Sequence, residues 1–212
     1  RCTFDVRTVD SLLDMRVSNL TLCYNGLSMS TLPTVGVKSM TIEGENIHSI
    51  GDDVRSMIRL KHLCVQQCGL SGCIPSSICK LTRLEKLILS SNELGGTIPA
   101  SIAAMSRLTI LHLDHNRLEG TVPTLPPYIE YISLQCNRLS GSVDNLYVPT
   151  TILVHIYGNP ELYGEITDER FILTTFVDVS MRVRPVNRDN WLIGKGTDRY
   201  GTEFISYTFL GM

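Results

Sequence analysis

The feature that most constrains this chain is a repeat. Leu84, Leu87, Leu89, Asn92, Leu94, Gly96, Ile98 and Pro99 recur, in the same order and spacing, as Leu108, Leu111, Leu113, Asn116, Leu118, Gly120, Val122 and Pro123. The shared pattern is LxxLxLxxNxLxGxIP. Further copies start at Leu60, at Ile129 and, degraded, at Thr151, and two weaker ones start at Val17 and Val37. These seven starts follow one another at nearly even intervals along the chain. One copy of that length cannot bury its own apolar edge, so the copies are expected to stack.

Each position in the pattern has a physical reason. The LxL core alternates as a short strand does, so Leu111 and Leu113 point inward and His112 points out. Stacked copies then build a parallel sheet. Asn25, Asn92, Asn116, Asn137 and Asn159 recur where the chain leaves the strand. A buried amide there can satisfy backbone groups of its own turn and of the neighbouring coil. Cys68 holds that place in its repeat. Gly72, Gly96, Gly120 and Gly141 relax the next bend, and Pro75, Pro99 and Pro123 fix an extended or first-turn geometry. Ile78 and Leu81, or Ile102 and Met105, then return the convex side to the core.

Over residues 17 to 166 this pattern resembles leucine-rich-repeat proteins. The two central copies, with LxGxIPxxI, are similar to the plant-type class. The copy at Ile129, entered through Thr124-Leu125-Pro126-Pro127-Tyr128, resembles the shorter LPxLPPxIxxIxL repeats of bacterial effectors and some protozoan proteins. The mixture, and the lack of paired-cysteine caps, argue against an ordinary plant receptor ectodomain. The resemblance implies an α/β-type repeat solenoid. It would be a right-handed coil of about seven repeats with a parallel concave sheet, short convex turns and little regular helix.

The ends leave the pattern. Residues 1–16 are expected to form an N-terminal cap, with a short helix over Asp10–Met15 covering the first apolar edge. Residues 167–212 are expected to form a C-terminal cap and a locally basic tail. There Phe171–Leu173 and Phe176–Val179 read as closing strands. Arg182, Arg184, Arg188 and Trp191 read either as solvated cap residues or as a docking arm, since Arg and Trp are common interface anchors.

Charge excludes some partners. The 212 residues carry a formal net charge of -2, which gives no electrostatic case for nucleic acid or an anionic membrane. No apolar run approaches the roughly 18 residues of a membrane span. The chain opens Arg1-Cys2 without an initiator Met, so a leading segment is expected to have been trimmed. Seven cysteines without paired spacing favour free thiols in a reducing compartment. Asn19-Leu20-Thr21 is a glycosylation sequon, which matters only for a secreted chain.

The outward strand positions fall into columns. One runs Thr21, Thr41, Cys64, Ile88, His112, Ser133, His155. A second runs Cys23, Glu43, Gln66, Ser90, Asp114, Gln135, Tyr157. A third, at the strand exit, runs Tyr24, Gly44, Gln67, Ser91, His115, Cys136, Gly158. This face is polar and lightly charged, which suits a protein partner better than nucleic acid. Its expected contact residues are Gln66, Ser90, His112, Asp114, His115, Gln135, His155 and Tyr157. His112, Asp114, His115 and Cys136 are all metal-ligand types, but ordinary polar contact is the preferred reading, so no metal and no cofactor is expected. Gly194-Lys195-Gly196-Thr197 lacks the spacing of a nucleotide loop, and no nucleophile motif is present, so no enzyme is expected. The first expectation is an intracellular protein-binding scaffold or complex subunit. The alternative is a secreted or cell-surface recognition ectodomain.

Overall fold

The computed structural model describes residues 19–22, 36–44, 49–146, 148–166, 174–177, 182–185, 191–197 and 203–209. Each coil contributes one strand to a sheet that runs the length of the stack. In order these are Asn19–Leu22, Ser39–Glu43, His62–Gln66, Lys86–Ile88, Ile110–His112, Tyr131–Ser133, Leu153–His155 and Thr174–Val177, all parallel to their neighbours. The register aligns the repeat. Leu63, Leu87, Leu111, Ile132 and Val154 lie side by side and all are buried. Burying such a side chain contributes roughly 1.5–3 kcal/mol, so the leucine spacing and the stacking enforce each other. Four of the coils carry a 3-10 turn on their solvent side, Asp52–Ser56, Ser76–Lys80, Ala100–Ala104 and Asp144–Leu146, and no α-helix occurs among the described residues.

A second sheet runs beside the first. Glu119–Thr121, Arg138–Ser142, Glu161–Ile166 and Arg182–Pro185 pair in parallel, and Ser71–Cys73 pairs with Glu93–Gly95. The repeat pattern predicts only a bend relaxed by glycine in this stretch. The bend is there, with Gly72, Gly96, Gly120 and Gly141 at φ +80, +66, +75 and +87. The residues before it alternate instead: Leu94 is buried between exposed Glu93 and half-buried Gly95, which is a strand's pattern.

The buried asparagines tie the coils together. Asn116 Oδ1 accepts from Leu94 N at 3.0 Å. Its Nδ2 donates to Leu89 O, Leu113 O and Asp114 O at 2.9, 3.0 and 3.1 Å. Asn92, Asn137 and Asn159 make the same set in their own coils, and Asn92 Oδ1 also accepts from Cys68 N. Cys68, in the same place, sends its thiol to Gln66 O at 3.0 Å and Ile42 O at 3.5 Å. A thiol offers one weak donor and a weak acceptor where the amide offers two donors and a strong acceptor.

The repeat at Thr151 shows what degradation means. Thr151 stands where its neighbours have Leu108 and Ile129. It is buried, and its hydroxyl has no hydrogen-bond partner among the described residues. Thr151→Val is therefore expected to raise stability by about 1 kcal/mol, by removing an unsatisfied polar group at equal volume. A urea midpoint unchanged or lowered by this substitution would show that the hydroxyl is satisfied.

The stack continues beyond residue 166, where the leucine pattern stops. Thr174–Val177 extends the main sheet, and Arg182–Pro185 extends the second one. Glu203–Phe209 then pairs antiparallel with Thr174–Val177, and Trp191–Thr197 pairs antiparallel with Glu203–Phe209. Ladder bonds are made by backbone, so they survive the loss of the leucines. Arg182, Arg184 and Trp191 thus sit in paired strands. Arg188, the helix expected at Asp10–Met15, the strand expected at Phe171–Leu173, and Asn25 lie outside the described residues.

Candidate partner-binding face

Three columns of side chains face away from the core across the main sheet. The first is Ser39, His62, Lys86, Ile110, Tyr131 and Leu153. The second is Thr41, Cys64, Ile88, His112, Ser133 and His155. The third holds Glu43, Gln66, Ser90, Asp114, Gln135 and Tyr157, where each coil leaves its strand. Just beyond it Gln67, Ser91, His115 and Cys136 have φ of +55, +57, +53 and +56, the same position as Gly44 and Gly158. That left-handed exit turns the chain away and defines one rim of the face.

The third column is a floor. Ser90, Asp114, Gln135 and Tyr157 are buried, as is Ser133 in the second column. They bond along the sheet: Ser90 Oγ donates to Asp114 Oδ1 at 2.6 Å, and Ser133 Oγ donates to Gln135 Oε1 at 2.9 Å. Of the eight residues expected to meet a partner, Gln66, His112, His115 and His155 are the half-buried ones. Two of these rest on the floor: His115 Nδ1 lies 3.1 Å from Asp114 Oδ2, and His155 lies 6.4 Å from Tyr157 between ring centroids, tilted by 46°.

Charge concentrates at Asp114. Its carboxylate receives Ser90 on one oxygen and lies 3.1 Å from His115 Nδ1 on the other. Burial pushes its pKa up, but the bonds from His115 and Ser90 outweigh that and hold it below the usual carboxylate value. His115, beside the Asp114 carboxylate and then the Cys136 thiol, is pushed up to about 10. Burial lowers His112 and His155 instead, so both favour the neutral imidazole. Among the described residues no three His, Cys, Asp or Glu side chains converge on a point that could hold a metal ion.

A recess of about 220 Å³ opens on this face, lined by Ile110, His112, Tyr131, Ile132, Ser133, Leu153 and His155. Two neutral imidazoles flank an apolar bed there, a setting that takes an apolar or aromatic side chain with polar groups at its edge.

The family model described as Leucine Rich Repeat matches residues 59–81, 83–105 and 107–127. Residues 59–127 carry leucine-rich repeats, and the fold is that of a leucine-rich-repeat solenoid. The leucine-rich-repeat ectodomain of the receptor kinase SOBIR1 from Arabidopsis thaliana is 27% identical, with a TM-score of 0.51, over 54% of this chain and 64% of that one. The BIR2 ectodomain from Arabidopsis thaliana is 32% identical, with a TM-score of 0.50, over 55% of this chain and 64% of that one. The plant peptide hormone receptor RGFR1, solved in complex with RGF2, is 19% identical, with a TM-score of 0.64, over 79% of this chain and 32% of that one. The solenoid therefore spans less than two thirds of each of these structures. No curated protein sequence matches it. These likenesses run against the expectation that mixed repeats and absent cysteine caps set the chain apart from plant receptor ectodomains.

Sequence reading missed the first column of the solenoid face. The signal was present: Ile110, Tyr131 and Leu153 each precede His112, Ser133 and His155 by two positions, so strand alternation puts them on the same side. Reading the strand from the first leucine of LxL, and not from the residue before it, hid them.

The His115–Asp114 pair makes stability depend on pH. The folded imidazole binds its proton more tightly than the unfolded one, whose value is the ordinary 6.5. Its contribution is therefore fully present below about pH 6.5 and gone above about pH 10. Urea midpoints of the solenoid are expected to fall across that window, and His115→Gln is expected to remove this part of the slope. Equal slopes in the two proteins would place the proton elsewhere.

Proposed function

We propose that the solenoid is a non-catalytic recognition domain that binds a protein or peptide partner across its concave face, and that it works outside the cell. The carrying observation is the recess at Ile110, Tyr131 and Leu153 with His112 and His155 at its rim. Eight parallel strands at about 4.8 Å give a face about 34 Å long, adequate for a standard interface. The stacked coils and the bonded floor fix its side chains in advance, so little ordering entropy is lost on binding.

The extracellular reading replaces the intracellular scaffold as the better supported one. The ectodomain relatives at 27% and 32% identity support it. The thiols do not oppose it. Of the five described cysteines only Cys73 is exposed. Burial, with Glu43 and Cys68 adding to it, pushes Cys64 up to about 11, and burial raises Cys79. Thiols held protonated in this way are poor nucleophiles and resist oxidation. Asn19 of the sequon is exposed. No described helix is long and apolar enough to cross a membrane.

The test is capture from medium conditioned by the cells that make the chain. Immobilised wild-type solenoid is expected to retain a stoichiometric protein or peptide at about 0.15 M salt, and Tyr131→Ala is expected to lose it. Retention by the variant, or a partner found only in cytosolic extract, would sink the reading.

A further inference from the structure

The corner where each coil enters the concave sheet carries a second repeat. Arg59, Arg83 and Arg107 take equivalent places in three successive coils, in Met57-Ile58-Arg59-Leu60, Leu81-Thr82-Arg83-Leu84 and Met105-Ser106-Arg107-Leu108. The turn is the same each time: Leu60 N donates to Met57 O, Leu84 N to Leu81 O and Leu108 N to Met105 O, at 2.9, 2.9 and 3.0 Å. The arginines therefore step along one edge at about the inter-strand spacing of 5 Å. All three are exposed, as is Lys80 at the end of the adjoining 3-10 turn. Among the described residues none of these four cations has an ion pair, although nearby Lys61 meets Glu85 at 2.6 Å.

Between the first two of these coils lies a recess of about 480 Å³ lined by Ile58, Arg59, Lys80, Thr82 and Arg83. It holds three cations and no carboxylate in a chain whose net charge is -2. Ile58 is 62% exposed, and Tyr128, which takes the arginine's place on the coil after Arg107, is 59% exposed. An unpaired guanidinium ladder is suited to carboxylates, which it can grip in bidentate fashion.

We propose that this edge is a second docking surface, distinct from the concave face, for an acidic peptide segment of a protein partner. Carboxylates of the segment pair with Arg59, Lys80 and Arg83, and an apolar side chain covers Ile58. An extended peptide presents a side chain to one face about every 7 Å, and the long arginine and lysine side chains can span the difference from the ladder's step of about 5 Å. The exposed Ile58 and Tyr128 favour a peptide over a sulfated polysaccharide, which has no apolar group to cover them. A lipid surface calls for a broader basic plane than this edge supplies.

The test uses a fluorescein-labelled peptide of three Glu-Glu-Leu-Glu blocks, titrated by fluorescence anisotropy at low salt. Saturable binding is expected, weakening with salt and by at least about tenfold in the Arg59→Ala/Lys80→Ala/Arg83→Ala variant. Arg138→Ala, an exposed cation elsewhere, is expected to bind as wild type does. Unchanged circular dichroism keeps the comparison on binding. Equal affinity of wild type and triple variant overturns the proposal. So does binding of heparin or phosphatidylserine vesicles where the peptide does not bind, because the edge then takes a different class of polyanion.

Discussion

Asn116→Ala is expected to lower the unfolding free energy by about 3 kcal/mol or more, measured by urea denaturation. The side chain is buried and joins two adjacent coils through one accepted hydrogen bond and donation to three carbonyls. Alanine leaves Leu94 N and several carbonyls without that partner, and each buried unsatisfied group costs roughly 1–3 kcal/mol. Asn116→Cys is expected to cost less than Asn116→Ala, because the thiol of Cys68 already serves two carbonyls in the equivalent place. The order asparagine, cysteine, alanine is the diagnostic result. If cysteine and alanine cost the same, the thiol at Cys68 is filling space and nothing more. Since coils touch only their neighbours, the loss should also broaden or split the unfolding transition.

Tyr131→Ala combined with Leu153→Ala is expected to weaken partner binding by about 100-fold while leaving the fold intact, as read by titration calorimetry with the captured partner. Both side chains are half-buried and outward, and their strands are held by backbone ladders and by buried Ile132 and Val154. Truncating them empties the apolar bed of the recess without touching the core. The floor gives the contrasting case. Asp114→Asn removes the anion that holds His115 charged, so it should alter the pH dependence of binding and stability more than the contact area. A double variant that binds as tightly as wild type would move the contact off this part of the face.

How far the sequence could be read depended on what each residue answers to. Inward residues such as Leu87, Leu111 and Asn116 answer to packing and to backbone bonds repeated in every coil, so their spacing declared them. Outward residues answer to no repeat, and reading them needs the strand's true start and the lie of each side chain. That is why Ile110, Tyr131 and Leu153 went unnoticed. It is also why Ser90, Asp114, Gln135 and Tyr157 read as contacts when they are buried in the floor. Alternation along a strand says which way a Cβ points. It does not say whether a serine lies down to meet an aspartate one coil away. The end of the stack shows a third limit. A closing strand was readable at Phe176–Val179, overlapping Thr174–Val177, but its ladder bonds to Leu153–His155 are made by backbone and its pairing left no mark in the residue pattern. The arginine ladder was legible throughout, at the spacing of the repeat itself, but the leucines beside it repeat more strongly and drew the reading.

The concave-face account meets its most direct test in site-specific photocrosslinking. p-Benzoylphenylalanine placed at Tyr131, in the recess, is compared with the same group placed at Tyr163, which is exposed on the second sheet. The account predicts a partner crosslink from position 131 and none from position 163. Crosslinks from 163 alone would put the partner on the other side of the solenoid and contradict it.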